Sequence, residues 1–194
     1  GGGGGSWILD VGANIGTFSI PLLAAGFNVL SFEAHPPNAA MLRASASILA
    51  AANQSRGRSL IINKAVSNPS APGVLCMRAA EPTNQGMIEA PRASEKGATC
   101  ASTVISTTLD SELNQFFGDN PVLLSSMKMD VEGHEDLVLE GAMHMFTRYP
   151  PSKAFFEIKD AHAHAHQHGR LNVLGFMKEH GYGVEWQSHE DYAF

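Results

Sequence analysis

Trp7-Ile8-Leu9-Asp10-Val11-Gly12-Ala13-Asn14-Ile15-Gly16-Thr17-Phe18 runs from a short apolar strand into an acidic, glycine-punctuated turn and then into a helix. A second apolar strand, Asn28-Val29-Leu30-Ser31-Phe32, follows and ends on Glu33. Strand, turn, helix, strand, acid is the succession of a parallel α/β unit, in which ligands gather at the strands' carboxyl ends. Asp10 falls at the end of the first strand, beside Gly12 and Gly16, whose missing side chains let a ligand approach the backbone. Glu33 closes the second strand and can accept two hydrogen bonds from a vicinal diol such as a ribose. The pattern predicts a cradle for a nucleoside cofactor.

The spacing then discriminates between nucleosides. A dinucleotide fingerprint needs a second glycine where this chain has Asn14, and a phosphate loop needs a lysine where Thr17 follows Gly16. An acid two residues before the first glycine repels a pyrophosphate but suits an ammonium group. S-adenosylmethionine (SAM) carries an ammonium, a sulfonium and a ribose diol, and no phosphate. SAM is therefore the expected cofactor, and a nicotinamide-dependent oxidoreductase is the disfavoured alternative.

Composition narrows the class further. The 194 residues, 44% of them hydrophobic, suit one domain with a sizeable core. A formal charge of -6 and the lack of a dense Lys/Arg stripe argue against nucleic acid as a partner. No apolar run reaches bilayer-spanning length and no signal-peptide pattern is visible, so no membrane association is expected. The two cysteines, Cys76 and Cys100, have no metal-ligand spacing and build no disulfide framework. A reducing, cytoplasmic setting is the resulting expectation.

Along the chain, residues 1–6 read as a glycine-rich linker or truncation edge and residues 7–194 as one domain. Helices are expected at Thr17–Ala25, stopped by Gly26, and from Asn38 to Asn53 behind Pro36 and Pro37, with Met41, Ile48, Leu49 and Ala52 marking the apolar positions. Ser59–Val66 reads as a third strand. Residues 67–102 read as an irregular insertion bracketed by short strands near 74–77 and 103–105. A helix follows at Leu109–Phe117, then a strand from Val122 to Asp130 and Val131, and a helix at Glu135–Phe146. The pattern closes with a strand at Lys153–Ile158, a helix at Arg170–His180 with Leu171, Leu174 and Met177 inward, and short strands at 184–187 and 192–194. The expected fold is α/β, a Rossmann-like, doubly wound and mainly parallel sheet, with Asp10, Glu33, Asp130 and Glu157 at strand ends.

The segments LDVGANIGTFSI (9–20), FEAHPPN (32–38), TTLDSEL (107–113), MKMDVEGHEDLVLEGA (127–142) and FFEI (155–158) together resemble the FkbM-type SAM-dependent methyltransferases. The block from Lys128 to Ala142 is the most specific part. The resemblance implies a class I methyltransferase fold and methylation of a hydroxyl oxygen on a sugar, glycan or secondary metabolite. Ala34 departs from the proline that usually follows the acid, and residues 67–102 match nothing in the family pattern. The helical element that usually precedes the first strand is not in this stretch. That is the ground for a rival reading, a catalytically inactive methyltransferase-fold domain that binds a partner through residues 67–102.

The resemblance assigns roles residue by residue. Asp10 would hold the SAM amino group, with Gly12, Ala13, Asn14 and Gly16 forming the turn around the methionine portion; the alternative for Asp10 is a helix-capping acid. Glu33 would accept the ribose hydroxyls, or else be a solvated strand end. By position in the fold alone, the main chain around Asn63 to Ala65 would border the adenine. Asp130 would stand near the transferring methyl and orient an acceptor hydroxyl or take its proton, unless it is simply paired with Lys128. Glu132 or His134 is the alternative base, and with Glu135 they could hold a divalent cation, although no defined metal site is expected. Glu135 reads equally well as a first-turn acid on its helix dipole. His35 beside the cofactor loop and the alternating run His162, His164, His166, His168 have polar-surface readings as well as ligand ones.

Overall fold

All five residues of β1 (Trp7–Val11) are buried, as a central parallel strand covered on both faces requires. The structure, a computed structural model, describes residues 5–71, 73–77, 102–118, 120, 122–158, 172–186 and 191–193. Among them one sheet has the order β3 (Ser59–Ile62), β2 (Asn28–Phe32), β1, β7 (Leu124–Met129), β8 (Ala154–Glu157), β10 (Asp191–Ala193), β9 (Glu185–Trp186). The first five strands are parallel, and β10 runs antiparallel to both its neighbours. Chain order reverses direction between β1 and β7, so the carboxyl ends of these two strands form the topological switch point where α/β sheets bind ligands. This is the α/β, Rossmann-like, doubly wound arrangement expected from the alternation of elements.

Apolar side chains from both sheet faces make the core. Leu9, Leu30, Met127 and Met129 have no exposed surface, and each such side chain contributes about 1.5–3 kcal/mol by leaving water. The helices α1 (Ser19–Ala25), α2 (Pro36–Ala51), α3 (Leu109–Phe117), α4 (Glu135–Glu140), α5 (Met143–Arg148) and α6 (Val173–Glu179) complete the described elements. Gly26 ends α1 with φ 101°, its N–H on the carbonyls of Leu22 and Leu23. Thr108 caps α3 by accepting from the Ser111 N–H at 3.1 Å, and Asn172 caps α6 in the same way from Gly175. Phe146 of α5 meets Phe176 of α6 edge-on at 5.1 Å, closing the core on that side.

Four expectations need correction. The third strand breaks at Asn63, because Ala65–Val66 (β4) leaves the main sheet to pair with β6 (Ser102–Thr107), which also pairs with β5 (Val74–Met77). The helix expected over 135–146 is two helices. Asp110 of α3 accepts from the backbone N–H groups of His144 and Met145, at 2.9 and 2.7 Å, and so caps a new helix start after Gly141. In α2 the inward face is Asn38, Ala39 and Leu42, while Met41 and Ile48 are 54% and 70% exposed. Leu42 packs where Gly16 has no side chain: a Cβ there would lie 2.4 Å from Leu42 Cδ1. Finally, Cys76 is disulfide-bonded. The chain's other cysteine, Cys100, lies outside the described residues, and the bond removes the ground for expecting a reducing compartment.

Residues 78–101, which hold most of the expected insertion, and the histidines at 162, 164, 166 and 168 also lie outside the described residues. No helix among the described residues is long and apolar enough to cross a membrane.

Candidate active site

A cavity opens at the carboxyl ends of β1, β2 and β7, at the switch point. Gly12 and Asn14 form one wall, Glu33 and His35 a second, and Asp130, Glu132 and His134 a third. Lys64, Ala65 and Ser67, together with Leu75 and Met77 of β5, close the remaining side. The first three walls come from the turns singled out in the sequence. Of the fourth, the sequence reading reaches only the main chain of 63–65; Ser67, Leu75 and Met77 join it through the second sheet.

Glu33 is the best-prepared group. It is buried, and its two carboxylate oxygens are held from opposite sides: Oε2 accepts from the Asn14 N–H at 2.7 Å and Oε1 from the His35 N–H at 2.8 Å. An ionised carboxylate has about four lone-pair directions, so each oxygen keeps one for a diol. Burial pushes the Glu33 carboxyl above its ordinary value, while the amides of His35 and Asn14 pull it down. The supports extend outward. Asn14 adopts φ +52°, a left-handed conformation that asparagine tolerates, and the Asn38 side chain donates to its Oδ1 at 3.0 Å. Asn63 does not line the cavity; its side-chain amide donates to the carbonyls of Glu33 and Ala34 at 2.8 and 2.9 Å and so fixes the backbone that carries the acid.

Asp10 lies inside the protein, with no exposed surface and no place on the cavity wall. Its carboxylate accepts from the Ser19 hydroxyl at 2.5 Å, and that hydroxyl is 2.8 Å from the Ser31 hydroxyl. Burial raises its pKa, and the nearby Lys128 ammonium is the largest opposing influence. Gly16 and Ala13 are likewise supports: the Ala13 and Gly12 N–H groups both bond the Phe32 carbonyl, at 2.9 and 3.0 Å, which ties the turn to β2.

On the third wall Glu132 has φ +57°, an uncommon conformation for a residue with a Cβ, and Gly133 follows at +89°. Such strain is found where surrounding structure holds a side chain in a working position. Glu135 stays behind the loop, buried, with Oε1 accepting from the Gly133 N–H at 3.1 Å. Burial, against the loop amides, lifts its carboxyl from an ordinary 4.5 to about 7. The folded chain therefore binds a proton there more readily than the unfolded one, and that contribution to stability is complete below pH 4.5 and lost as pH rises through 7. Glu135→Gln removes it. Between pH 5 and 8 its thermal midpoint is expected to vary less than that of the native chain, by the equivalent of roughly 3 kcal/mol at most. Parallel pH profiles for the two proteins in calorimetry would refute the assignment.

Sequence reading missed the cavity residues Ser67, Leu75 and Met77, and also the partners of the Lys64 side chain. Its Nζ is 2.6 Å from Glu112 Oε1 of α3, and the Thr107 hydroxyl donates to the same oxygen at 2.6 Å. The partners are 48 residues apart, so no local pattern links them. No group of three or more metal-binding side chains occurs among the described residues.

This geometry can receive a nucleoside without phosphate: a diol acceptor at one end, a glycine turn in the middle, and carboxylates with an imidazole at the other. Residues 10–184 match the family model for the methyltransferase FkbM domain. The chain belongs to the FkbM methyltransferase family. Its cofactor is S-adenosylmethionine.

No curated protein matches the sequence of this FkbM domain. Among solved structures it is similar to an rRNA methylase from Streptococcus thermophilus (TM-score 0.47, 10% identity, covering 98% of this chain and 84% of that one). It is similar to magnesium protoporphyrin IX methyltransferase from Synechocystis with bound S-adenosylhomocysteine (TM-score 0.46, 9% identity, 97% and 72% covered). It is also similar to the Pyrococcus abyssi tRNA (uracil-54, C5)-methyltransferase in complex with S-adenosylhomocysteine (TM-score 0.37, 16% identity, 78% covered), of which it spans about a quarter, 24%.

Proposed function

We propose that this FkbM domain is an O-methyltransferase that binds SAM across the β1–β2–β7 cavity and methylates a hydroxyl of a sugar, glycan or other small hydroxylated metabolite. The observation that carries the reading is Glu33, preset by two backbone amides with one acceptor direction left on each oxygen. When bound, SAM supplies an electrophilic methyl group on a sulfonium. Glu33 would hold the ribose diol, the Gly12–Asn14 turn the amino-acid portion, and the backbone at Lys64 and Ala65 the adenine edge. Asp130, part of the cavity wall, would accept a hydrogen bond from the acceptor hydroxyl and take its proton as the oxygen acquires the methyl group. Glu132 and His134 stand on the same wall and would serve that proton if the acceptor enters from their side. Displacement at a methyl group is in-line, so holding acceptor and donor in one axis supplies much of the acceleration. The net charge of -6 disfavours a nucleic-acid backbone in this cavity.

Methyl-labelled SAM incubated with sugars, hydroxylated metabolites and, for contrast, RNA is the direct test. Label on an ether oxygen of a small acceptor is expected; label on RNA overturns the acceptor class. SAM affinity without transfer to any acceptor would point to the inactive binding domain instead. Asp130→Asn is expected to cut turnover about 100-fold or more while changing affinity for S-adenosylhomocysteine much less, the loss typical of a general base. Unchanged turnover would move the base to Glu132 or His134.

A further inference from the structure

Lys128 lies in β7 directly opposite Asp10 of β1 in the parallel register, and Asp130 lies two residues further on. Its ammonium has three protons and three oxygen neighbours. It donates to the Gly12 carbonyl at 2.8 Å and sits 3.6 Å from the Asp10 carboxylate and 3.5 Å from that of Asp130. Asp10 is wholly buried and its Oδ1 has no hydrogen bond, so the ammonium is the charge that makes an ionised carboxylate tolerable there. Neutralising Asp10 accounts for one contact. The other two link the Gly12 carbonyl and the Asp130 carboxylate, neighbours at the ends of β1 and β7 that both line the cavity. Lys128 itself is not part of the cavity wall.

We propose that Lys128 is a positioning residue: through the Gly12 carbonyl it fixes the turn that receives the amino-acid end of the methyl donor, and it sets the Asp130 carboxylate beside that turn. The proposal rests on the SAM reading above. The ribose end has supports of its own, the Asn14 and His35 amides on Glu33 and the Phe32 carbonyl that holds the Gly12 and Ala13 amides. Loss of Lys128 therefore weakens the grip at one end of the cofactor and spares the other.

Lys128→Met alone leaves Asp10 buried and uncompensated, and such a variant can fail to fold for that reason. The double variant Asp10→Asn/Lys128→Met removes both charges together and is the working form. Native and double-variant proteins are titrated calorimetrically, up to millimolar ligand, with S-adenosylhomocysteine and with 5′-methylthioadenosine, which keeps the adenosine and lacks the amino-acid end. The double variant is expected to melt near the native temperature and to bind 5′-methylthioadenosine within about twofold of native, yet to lose about tenfold or more for S-adenosylhomocysteine. Equal losses for the two ligands, or no loss for either, overturn the proposal and leave Lys128 as the neutraliser of Asp10. A native chain that binds neither nucleoside overturns the SAM reading and this proposal together; native binding with an unaffected double variant overturns this proposal alone.

Discussion

Glu33→Ala is expected to raise the dissociation constant for S-adenosylhomocysteine about 100-fold or more, read by calorimetry on protein whose thermal midpoint is compared with native. Two hydrogen bonds from a ribose diol to a carboxylate are at stake, each worth roughly 1.5–3 kcal/mol, and tenfold in affinity is about 1.4 kcal/mol. The lower part of that range applies, because removing the acid also removes its desolvation cost. The substitution strands the Asn14 and His35 N–H groups that now donate to Glu33, so the turn around Asn14 loses one of its ties to the second strand and keeps those to the Phe32 carbonyl. Glu33→Gln separates the two effects. Its amide nitrogen cannot accept from a backbone N–H, so one of the two supports fails, and an intermediate loss of about tenfold is expected. Native-like affinity in the alanine variant would remove the basis for placing the ribose there.

Gly12→Ala is the second large effect, and it acts on the fold as much as on the ligand. Gly12 has φ +80°, and a Cβ there would lie 1.8 Å from the Asp130 carbonyl oxygen. Asp130 cannot yield locally, because its own N–H is bonded to the Val11 carbonyl at 3.0 Å. Relief requires β1 and β7 to part at the switch point. A loss of about 3 kcal/mol or more is expected, near the severe end for single substitutions. In a chain of this size that lowers the midpoint by about 10 °C, with loss of nucleoside binding. Gly133→Ala supplies the contrast: φ is +89° but nothing lies within 4 Å of the added carbon. Backbone strain alone costs about 1 kcal/mol. Equal melting of the two variants would mean that strain, and not the approach of Asp130, is what Gly12 relieves.

The legible parts of this protein are those governed by neighbours in sequence. Leu109–Phe117 matches its helix to the residue, with Thr108 as cap and Asp110 and Glu112 in the first turn. Glu33 was recognisable because an apolar strand ending on an acid after a glycine turn is a local pattern, and the cavity forms beside it. The break of the helix after Gly141 was not legible. The expected helix runs straight through Gly141; in the fold a Cβ there would lie 2.2 Å from the Ser67 carbonyl oxygen, and Asp110 supplies a cap from another helix. The apolar pattern of α2 misleads for a related reason, since its buried face is Asn38, small Ala39 and Leu42, the last seated over Gly16, leaving Met41 and Ile48 outside.

Asp10 marks the boundary most clearly. By itself the sequence determined that strands and helices alternate and that carboxylates stand where strands end, because hydrophobic period, glycine turns and caps act over a few residues. Only the tertiary structure decided which of those carboxylates meets the cavity and which is enclosed. The β1–β7 register sets Lys128 across from Asp10, 118 positions away, and two serines complete its enclosure. Lys64 and Glu112 meet 48 residues apart for the same reason. A charge is stabilised by whatever packing brings within a few ångströms of it, and that distance is a property of strand pairing, which no local stretch of chain encodes.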